Sequence, residues 1–432
     1  MSDSRRSFLK KSGAAVAAFT ILPRNVFGKM GGDNNYVAPS DQITKGIIGT
    51  GGIGRSSYHF TSDERCRLIS VCDVDKNHLQ KALDLGKKKF DATLKPFSDW
   101  RDLIADPDVD IVHICTPPHW HGLMAVAAAN AGKDIFCEKP MTRTIGESKK
   151  VAEAVRKNGS IFRLNTWFRF KDNFYGLGTT VEPLKKLVES GLLGWPLTVR
   201  ISGATGFTWK FFWTGKENLE TEPVPAELDY DMWLGPAPFK PYNHHRTHQT
   251  FRGYWDYDAG GLGDMGQHYI DPVQYILGKD NDSPVRVEID APQQHPDAVG
   301  TWRSITYTYA DGCKIILEGE GFESEGKVPY IEGPKGKVYK GFECTIPNVM
   351  DVIDELPDPA PRNTDFIECV RKRTHFALDE RIGHHSATIV NMGACALRLG
   401  RTLHFDPKTQ LFIGDDAANL LIDQPMRGPW KL

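Results

Sequence analysis

A short apolar run that leads directly into closely spaced glycines constrains this chain more than any other feature of its sequence. Residues 43–48 form the run, and Gly49, Gly51 and Gly54 follow it in the pattern G-x-G-x-x-G. In a strand, turn and helix unit, these glycines permit a tight turn, close approach of a phosphate and close helix packing. We therefore predict a parallel-sheet domain that binds a dinucleotide through the amino end of a following helix. The alternative is a glycine-rich turn without a ligand.

The second predicted strand indicates which dinucleotide is bound. Residues 68–72 are apolar and end at Asp73. A carboxylate in this position accepts hydrogen bonds from ribose hydroxyls and repels a 2′-phosphate. The sequence thus favours NAD over NADP, with Asp75 as the alternative acidic residue.

Two further apolar runs end in polar residues. Residues 110–115 lead to Thr116, Pro117 and His121, and residues 134–137 lead to Glu138 and Lys139. Because the carboxyl ends of parallel strands share one edge of the sheet, we expect these residues to lie beside the nicotinamide. His121 has an alternative role as a cap of the following helix.

The pattern changes in the second half of the chain. Residues 198–202, 285–289, 304–309 and 314–318 alternate between apolar and polar, which is typical of an open sheet covered on one face. Asp311 and Gly312 indicate a hairpin between the last two strands, and residues 364–373 and 386–399 have helical patterns. A chain of 432 residues exceeds what one core holds. We predict an α/β protein with a Rossmann domain at 42–160 and an α/β domain with a largely antiparallel open sheet at 161–432.

The motifs together resemble those of the Gfo/Idh/MocA family of nicotinamide-dependent oxidoreductases. The resemblance rests on the glycine pattern, on Thr-Pro-x-x-x-His and Glu-Lys-Pro, and on Asp264 and His268, which lie four residues apart and so share one face of a helix. It implies a substrate among sugars and polyols, a homodimer or homotetramer, and a catalytic set of Lys139, Asp264 and His268. His268 would act as general base, Asp264 would orient it or the substrate, and Lys139 would donate to the reacting oxygen. Asp271, three residues beyond His268, is either a further site residue or a structural hydrogen-bonding partner, and the sequence does not decide between the two.

The contacts with cofactor and substrate follow from the same motifs. Relatives often carry an arginine where this chain has Arg169, and aromatic rings suit the apolar faces of sugars, although such rings more often belong to a core. A loop containing His244, His245 and His248 is predicted to line the substrate site rather than to bind zinc, and no metal is expected. The predicted cofactor contacts are Gly49, Gly51, Gly52, Ile53, Gly54, Asp73, Thr116, Pro117, His121, Glu138 and Lys139, and the predicted substrate contacts are Arg169, Trp167, His121, Trp255 and Tyr257.

The amino terminus carries most of the positive charge. The chain has a formal charge of −2, yet residues 1–28 hold five basic residues and one acidic residue. Arg5 and Arg6 precede a short apolar run, as in a twin-arginine export signal, for which a Sec or lipoprotein leader is the alternative. We predict a signal peptide at 1–28, a linker at 29–41, a periplasmic location and no integral membrane segment after signal removal. Folding in the cytoplasm favours eight free thiols over disulfides.

These features lead to one function and two alternatives. The overall charge gives no reason to expect nucleic acid as a partner. We predict hydride transfer from a ring secondary alcohol of a sugar or glycoside, at C3, to tightly bound NAD. One alternative is a glycoside hydrolase of the same family in which retained NAD is reduced and reoxidised within each cycle. The other is a sugar-binding protein on an inactive dehydrogenase fold.

Overall fold

The first of two sheets in this computed structural model lies in the amino-terminal half and is entirely parallel. The structure describes residues 42–170, 180–321 and 327–432, so the predicted signal peptide and linker lie outside the described residues. The sheet has six strands in the order β3-β2-β1-β4-β5-β6. They are β1 (Ile43–Ile48), β2 (Cys66–Cys72), β3 (Lys95–Phe97), β4 (Ile111–Ile114), β5 (Asp134–Cys137) and β6 (Phe162–Leu164).

Helices cover both faces of this sheet, and β4 and β5 are accordingly buried along their whole length. The side chain of Asp75 accepts from the backbone at the first turn of α1, and that of Thr144 does so for α4. Gly159, in a left-handed conformation, ends α4. The helices are α1 (Lys76–Phe90), α2 (Trp100–Ala105), α3 (His121–Asn130) and α4 (Ile145–Asn158).

The prediction of a helix directly after the glycine pattern is wrong, because turns occupy that position. Residues 51–60 form successive turns, with hydrogen bonds such as Ser56 N to Ile53 O at 2.9 Å and Phe60 N to Ser56 O at 2.8 Å. Three glycines and two serines within a few residues have low helix propensity. No helix dipole is therefore available at the glycine loop, and backbone N–H groups of the turns take its place as potential phosphate donors.

The second sheet is mixed and mostly antiparallel. Its eight strands have the order β12-β11-β7-β10-β9-β8-β13-β14, and only the β7 and β10 pair is parallel within the described residues. The hairpin predicted at Asp311 and Gly312 joins β9 to β10, with Gly312 at φ 84°. The strands are β7 (Thr198–Ile201), β8 (Arg286–Asp290), β9 (Ser304–Thr308), β10 (Lys314–Glu318), β11 (Pro329–Glu332), β12 (Lys337–Tyr339), β13 (Leu403–Asp406) and β14 (Leu411–Phe412).

One helix of the second domain is buried along its whole length. This helix, α7, contains Asp264 and His268 and packs against α10, which also contacts β8. The helices are α5 (Val181–Glu189), α6 (Tyr230–Leu234), α7 (Gly260–Ile276), α8 (Val349–Glu355), α9 (Phe366–Lys372), α10 (Glu380–Leu399) and α11 (Asp416–Asn419).

Segments beyond the predicted domain boundary also belong to the first domain or pack against it. The first sheet takes in β6, just beyond the predicted boundary at 160. The carboxyl-terminal part also returns to the first domain, where Phe366 contacts Phe136 at 5.7 Å between ring centroids and Trp430 contacts Trp120 at 4.8 Å. Separately, α7 lies beside the chain that leaves β5, because Met141 N donates to Gln267 Oε1 at 2.8 Å and Lys139 Nζ donates to Asp264 Oδ1 at 2.7 Å.

Two simpler predictions concern thiols and membrane spans. All eight cysteines are free, which confirms the predicted thiols. Among the residues the structure describes, no helix is both long enough and apolar enough to cross a membrane.

Candidate active site

A cavity of about 900 Å³ opens beside the glycine loop. Gly51, Gly52 and Ile53 line it, and a Cβ built on Gly52 would meet no atom within 4 Å, so the backbone is open to a ligand. Gly54 does not line the cavity. A Cβ there would lie 2.0 Å from the carbonyl oxygen of Gly49, so the glycine is needed to close the loop on itself. An exposed backbone in a tight loop of this kind fits a pyrophosphate.

Asp73 lies in the wall of this cavity, at the end of β2. Its carboxylate accepts hydrogen bonds from Thr50 N at 2.6 Å and from Asp75 N at 2.9 Å, and burial raises its pKa. Asp75 also lines the cavity, but its carboxylate caps α1 by accepting from Asn77 N and His78 N. The arrangement favours Asp73 as the ribose ligand, and the loop together with this carboxylate fits NAD.

The second domain covers the same cavity with a segment that follows residue 226. Lys76 N donates to Glu227 O at 3.0 Å, and Asp229 N donates to Val74 O at 3.0 Å, so the segment pairs with the chain that leaves β2. Residues 247–252 line the cavity, and His248 Nε2 lies 3.3 Å from a carboxylate oxygen of Asp75. A nucleotide in this cavity is thus enclosed by both domains.

A smaller cavity of about 250 Å³ adjoins the first, and Ile53, Thr116, Phe251 and Arg252 line both. The smaller cavity brings together the three residues predicted to be catalytic. It is lined by Ile53, Tyr58, Thr116, Pro118, Glu138, Lys139, Asn165, Lys210, Phe251, Arg252, Asp258, Asp264 and His268.

The carboxylate of Asp264 is surrounded by donors. Its Oδ1 accepts from Lys139 Nζ at 2.7 Å and from Arg252 Nε at 3.0 Å. Its Oδ2 accepts from Lys210 Nζ at 2.8 Å and from Trp213 Nε1 at 3.1 Å. Although burial opposes ionisation, Lys139 and Arg252 hold the pKa of this carboxyl well below its usual range. Asp264 is therefore an ionised anchor for three cations.

Lys139 and His268 have different roles around this anchor. Lys139 Nζ donates to both the carboxylate and the backbone carbonyl of Asp264, at 2.7 and 2.6 Å, which leaves one of its three protons for a ligand. Burial and the charge of Lys139 lower the pKa of His268 well below its usual value. The imidazole is neutral and in the form that accepts a proton.

Glu138 sits on a buried chain of polar groups. One of its oxygens accepts from His59 Nε2 at 2.8 Å and from Asn165 Nδ2 at 2.6 Å, and His59 Nδ1 lies 3.0 Å from His113 Nδ1. Burial opposes ionisation, but the hydrogen bond from His59 and the positive charge of the neighbouring Lys139 lower the pKa of Glu138 to about 2. The chain fixes this carboxylate next to Lys139, whose backbone N–H also donates to it at 3.2 Å.

A third carboxyl of the smaller cavity behaves in the opposite way. Asp258 is buried, and burial raises its pKa to about 7, against the opposing effect of Arg252. Its Oδ1 accepts from Ala259 N at 2.8 Å at the start of α7. Near neutral pH this side chain exists as both acid and anion.

Two predicted ligands occupy structural positions instead. His121 has no exposed surface, and its ring nitrogens lie 2.7 Å from Pro140 O and 2.8 Å from Thr116 O. It joins the loops after β4 and β5 and lines neither of the two cavities. Arg169 is 1% exposed and forms ion pairs at 2.7 Å with Asp271 and with Asp280. Asp271 thus has the structural role left open by the sequence.

The aromatic residues predicted to contact substrate lie mainly in cores. Trp255 is buried and donates to His295 O at 3.1 Å, while Tyr257 is fully buried against His119 and Trp233. Neither lines the smaller cavity, because Trp255 packs in the core of the second domain and Tyr257 packs in a separate aromatic cluster. The side chain of Trp167 lies outside the part of the chain that the structure describes.

Sequence reasoning missed three residues that surround Asp264. Lys210 and Trp213 lie in the aromatic segment 207–213, and Arg252 ends the long loop before α7. The composition of both segments could have drawn attention to them, since loops rich in aromatic residues or histidines are candidates for ligand contact. The spacing along the chain does not show that their charged ends converge on one carboxylate.

Comparison with models of protein families shows to which family the chain belongs. The Gfo/Idh/MocA model for the NAD-binding Rossmann fold matches residues 43–166, and the model for the C-terminal alpha/beta domain matches residues 177–432. The chain belongs to the Gfo/Idh/MocA oxidoreductase family. Membership confirms the predicted fold and the nicotinamide cofactor of the first domain.

Relatives within the family include sugar and cyclitol dehydrogenases. Inositol 2-dehydrogenase of Salmonella typhimurium (strain LT2) is 33% identical over 194 residues, or 44% of this chain and 54% of that protein. Levoglucosan dehydrogenase of Pseudarthrobacter phenanthrenivorans is 32% identical over 241 residues, or 56% and 46%. The chain thus spans about half the length of the curated relatives it matches.

A solved structure shows the same fold at lower sequence identity. The WlbA dehydrogenase from Bordetella pertussis, in complex with NADH and UDP-GlcNAcA, superposes with a TM-score of 0.56 at 19% identity. The match covers 84% of this chain and 99% of that chain.

Proposed function

We propose that this protein is an NAD-dependent dehydrogenase that oxidises a ring secondary alcohol of a sugar or glycoside. The observation that carries the proposal is the meeting of Lys139, Asp264 and His268 in a cavity of about 250 Å³ that shares part of its wall with the dinucleotide cavity. Curated relatives that act on inositol and levoglucosan support a polyhydroxylated ring as substrate. Bound NAD would supply a nicotinamide carbon that accepts hydride.

The residues of the smaller cavity would handle the proton. The neutral imidazole of His268 accepts the proton of the substrate hydroxyl as the carbon–hydrogen bond breaks. Lys139 directs its remaining N–H to the same oxygen and stabilises the negative charge that develops there. Asp264 holds Lys139 in place, and because its two oxygens already accept four hydrogen bonds, it acts through the lysine.

The covering segment of the second domain supports a cofactor that stays bound between turnovers. The backbone pairing of Glu227 and Asp229 holds this segment against the chain after β2, whose Val74 and Asp75 line the dinucleotide cavity. Retained NAD must be reoxidised inside the protein, either by a second substrate or by returning hydride to the same sugar. Return of hydride to the same sugar is the route that the alternative function, redox-neutral glycoside hydrolysis, would use.

The test combines variants with product analysis. Lys139→Ala and His268→Ala should each reduce hydride transfer by at least about a hundredfold. Lys216→Ala, at an exposed lysine outside both cavities, should not. Wild-type hydride transfer by the first two variants on a glycoside that the parent oxidises would refute the roles assigned here.

The product of the parent enzyme identifies the route. A dehydrogenase gives a ketosugar lighter by two hydrogen atoms, and the position of the carbonyl tests the prediction of C3. A redox-neutral hydrolase gives a shorter sugar and leaves NAD oxidised. Absence of nucleotide after gentle purification, together with no chemistry on any glycoside, would favour the sugar-binding alternative.

We also propose export and self-association. Arg5 and Arg6 support delivery to the periplasm by the twin-arginine route, and replacing both with lysine should leave the protein in the cytoplasmic fraction. The resemblance to family members supports a homodimer or homotetramer, which light scattering of the purified protein tests directly.

A further inference from the structure

Cationic side chains outnumber fully ionised carboxylates in the wall of the smaller cavity, the proposed catalytic cavity. Lys139, Lys210 and Arg252 line it, against the ionised carboxylates of Glu138 and Asp264. The neutral imidazole of His268 adds no charge, and Asp258 is partly protonated near neutral pH, where its pKa lies. Three cations therefore face two fully ionised anions.

Both of those carboxylates are already occupied by the protein. Asp264 accepts four hydrogen bonds, and Glu138 accepts from His59, Asn165 and the backbone of Lys139. Ligand hydroxyls thus have few ionised acceptors to which they can donate. The cavity offers donors instead.

Lys210 and Arg252 retain unused donors. In the described residues Lys210 Nζ makes one hydrogen bond, to Asp264, and its side chain is 39% exposed. Within the part of the chain that the structure describes, Arg252 uses Nε and Nη1, which donate to Asp264 and to Gln249 O, and leaves Nη2 for a ligand. Its guanidinium lies 5.0 Å from the ring centroid of Trp213 and 4.8 Å from that of Phe251, which fixes the direction of the planar group.

We propose that the substrate carries a carboxylate, as in a uronic acid or its glycoside, and that Lys210 and Arg252 bind this carboxylate while Lys139 and His268 act on a ring hydroxyl. The proposal rests on the dehydrogenase function above and narrows its substrate class. A planar guanidinium beside an ammonium matches the geometry and charge of a carboxylate. A cavity of about 250 Å³ has room for one sugar ring with a carboxylate attached to it.

The test measures binding, so it does not depend on turnover. The full chain, saturated with NAD, is titrated by calorimetry with matched pairs: methyl glucoside against methyl glucuronide, and methyl galactoside against methyl galacturonide. A hexose phosphate forms a third arm. At least one uronide should bind about tenfold or more tightly than its neutral partner.

Variants connect this preference to the proposed residues. Lys210→Met keeps the aliphatic stem and should remove most of the preference for the uronide, and Lys210→Arg should restore part of it. Lys216→Met, at an exposed lysine outside both cavities, is the matched control and should bind as the parent does. Thermal unfolding of each variant establishes that it is folded.

Three results would overturn the proposal: equal or tighter binding of the neutral glycosides, no binding of any uronide, or binding of the hexose phosphate alone. Hydride transfer from a neutral glycoside would still support the dehydrogenase function in each case. Failure of every glycoside and uronide to reduce NAD, with tight uronide binding retained, would instead overturn the proposed function. The two failures are therefore distinguishable.

Discussion

Replacing Arg169 separates a structural role from a role in substrate binding. The guanidinium donates to both carboxylate oxygens of Asp271, at 2.9 and 2.7 Å, and to Asp280 at 2.8 and 2.7 Å. Asp271 has no exposed surface. Among the described residues, this buried carboxylate keeps only Thr166 Oγ1 as a side-chain donor in Arg169→Met, at 3.0 Å. Leaving one partner of a buried pair uncompensated costs about 3–5 kcal/mol.

The measurement is the unfolding of the purified variant by urea and by heat. For a domain of this size each kcal/mol lowers the Tm by roughly 2–4 °C, so the transition should move by several degrees. Arg303→Met is the matched control, because Arg303 pairs with Asp290 at an exposed position, 61% and 53% accessible. That change should cost less than about 1 kcal/mol.

The pH dependence gives an independent check. Burial already raises the pKa of Asp271, against the opposing effect of Arg169, and loss of the arginine should raise it further. The folded variant then binds a proton more readily than the unfolded chain, so its stability falls as pH rises. The deficit relative to the parent should be smaller at acidic than at alkaline pH. A variant with normal stability but a raised KM for substrate would refute this reasoning and restore Arg169 to the substrate site.

Three further predictions test the cofactor site and the packing between domains. Gly54→Ala places a Cβ 2.0 Å from Gly49 O, so the affinity for NAD should fall at least about tenfold in a fluorescence titration; unchanged affinity would show that the loop has another way to close. Asp73→Asn removes the charge that repels a 2′-phosphate, so the ratio of NADP to NAD affinity should rise about tenfold, and an unchanged ratio would move discrimination elsewhere. His384 lies on α10, with its Nδ1 2.8 Å from Ser148 Oγ of α4 in the first domain, and burial lowers its pKa to about 4. The unfolded chain therefore takes up a proton on this imidazole at higher pH than the folded chain does, and about 3 kcal/mol of stability is lost as pH falls from about 6.5 to 4. His384→Gln should flatten that part of the curve of unfolding free energy against pH, and the same slope in the variant would contradict the assignment.

Local patterns predicted most of the secondary structure. The strands before Gly49 and Asp73 and the helix that carries Asp264 and His268 depend on runs of apolar residues and on spacing, which are properties of neighbouring residues. The helix after Gly49 failed for a local reason too, since its glycines and serines are poor helix formers. Cavity contacts could be predicted where a residue lies just beyond the end of a strand, as do Thr116 after β4 and Lys139 after β5.

The roles of other residues depend on distant partners. Arg169, His121 and Trp255 carry groups that bind sugars well, and their types and positions along the chain resemble those of site residues. Arg169 and Trp255 are instead satisfied by partners far away in sequence, Asp280 and the carbonyl of His295, and His121 contacts the carbonyls of Thr116 and Pro140 in two neighbouring loops. The same packing brings Lys210 and Arg252 to Asp264.

The sequence by itself predicted several of the strands and helices, the two-domain α/β class and the glycine loop with its acidic partner, and its resemblance to the family implied Lys139, Asp264 and His268 as a set. These depend on side-chain periodicity and on short motifs, and both are encoded locally. Tertiary structure alone decided which charges meet. The energy of a buried ion depends on every group within a few ångströms, and those groups come from segments far apart in the chain. Thus Asp264 is the ionised anchor of three cations, Asp258 is a carboxyl with a pKa of about 7, and the arginine expected at the substrate is part of a core.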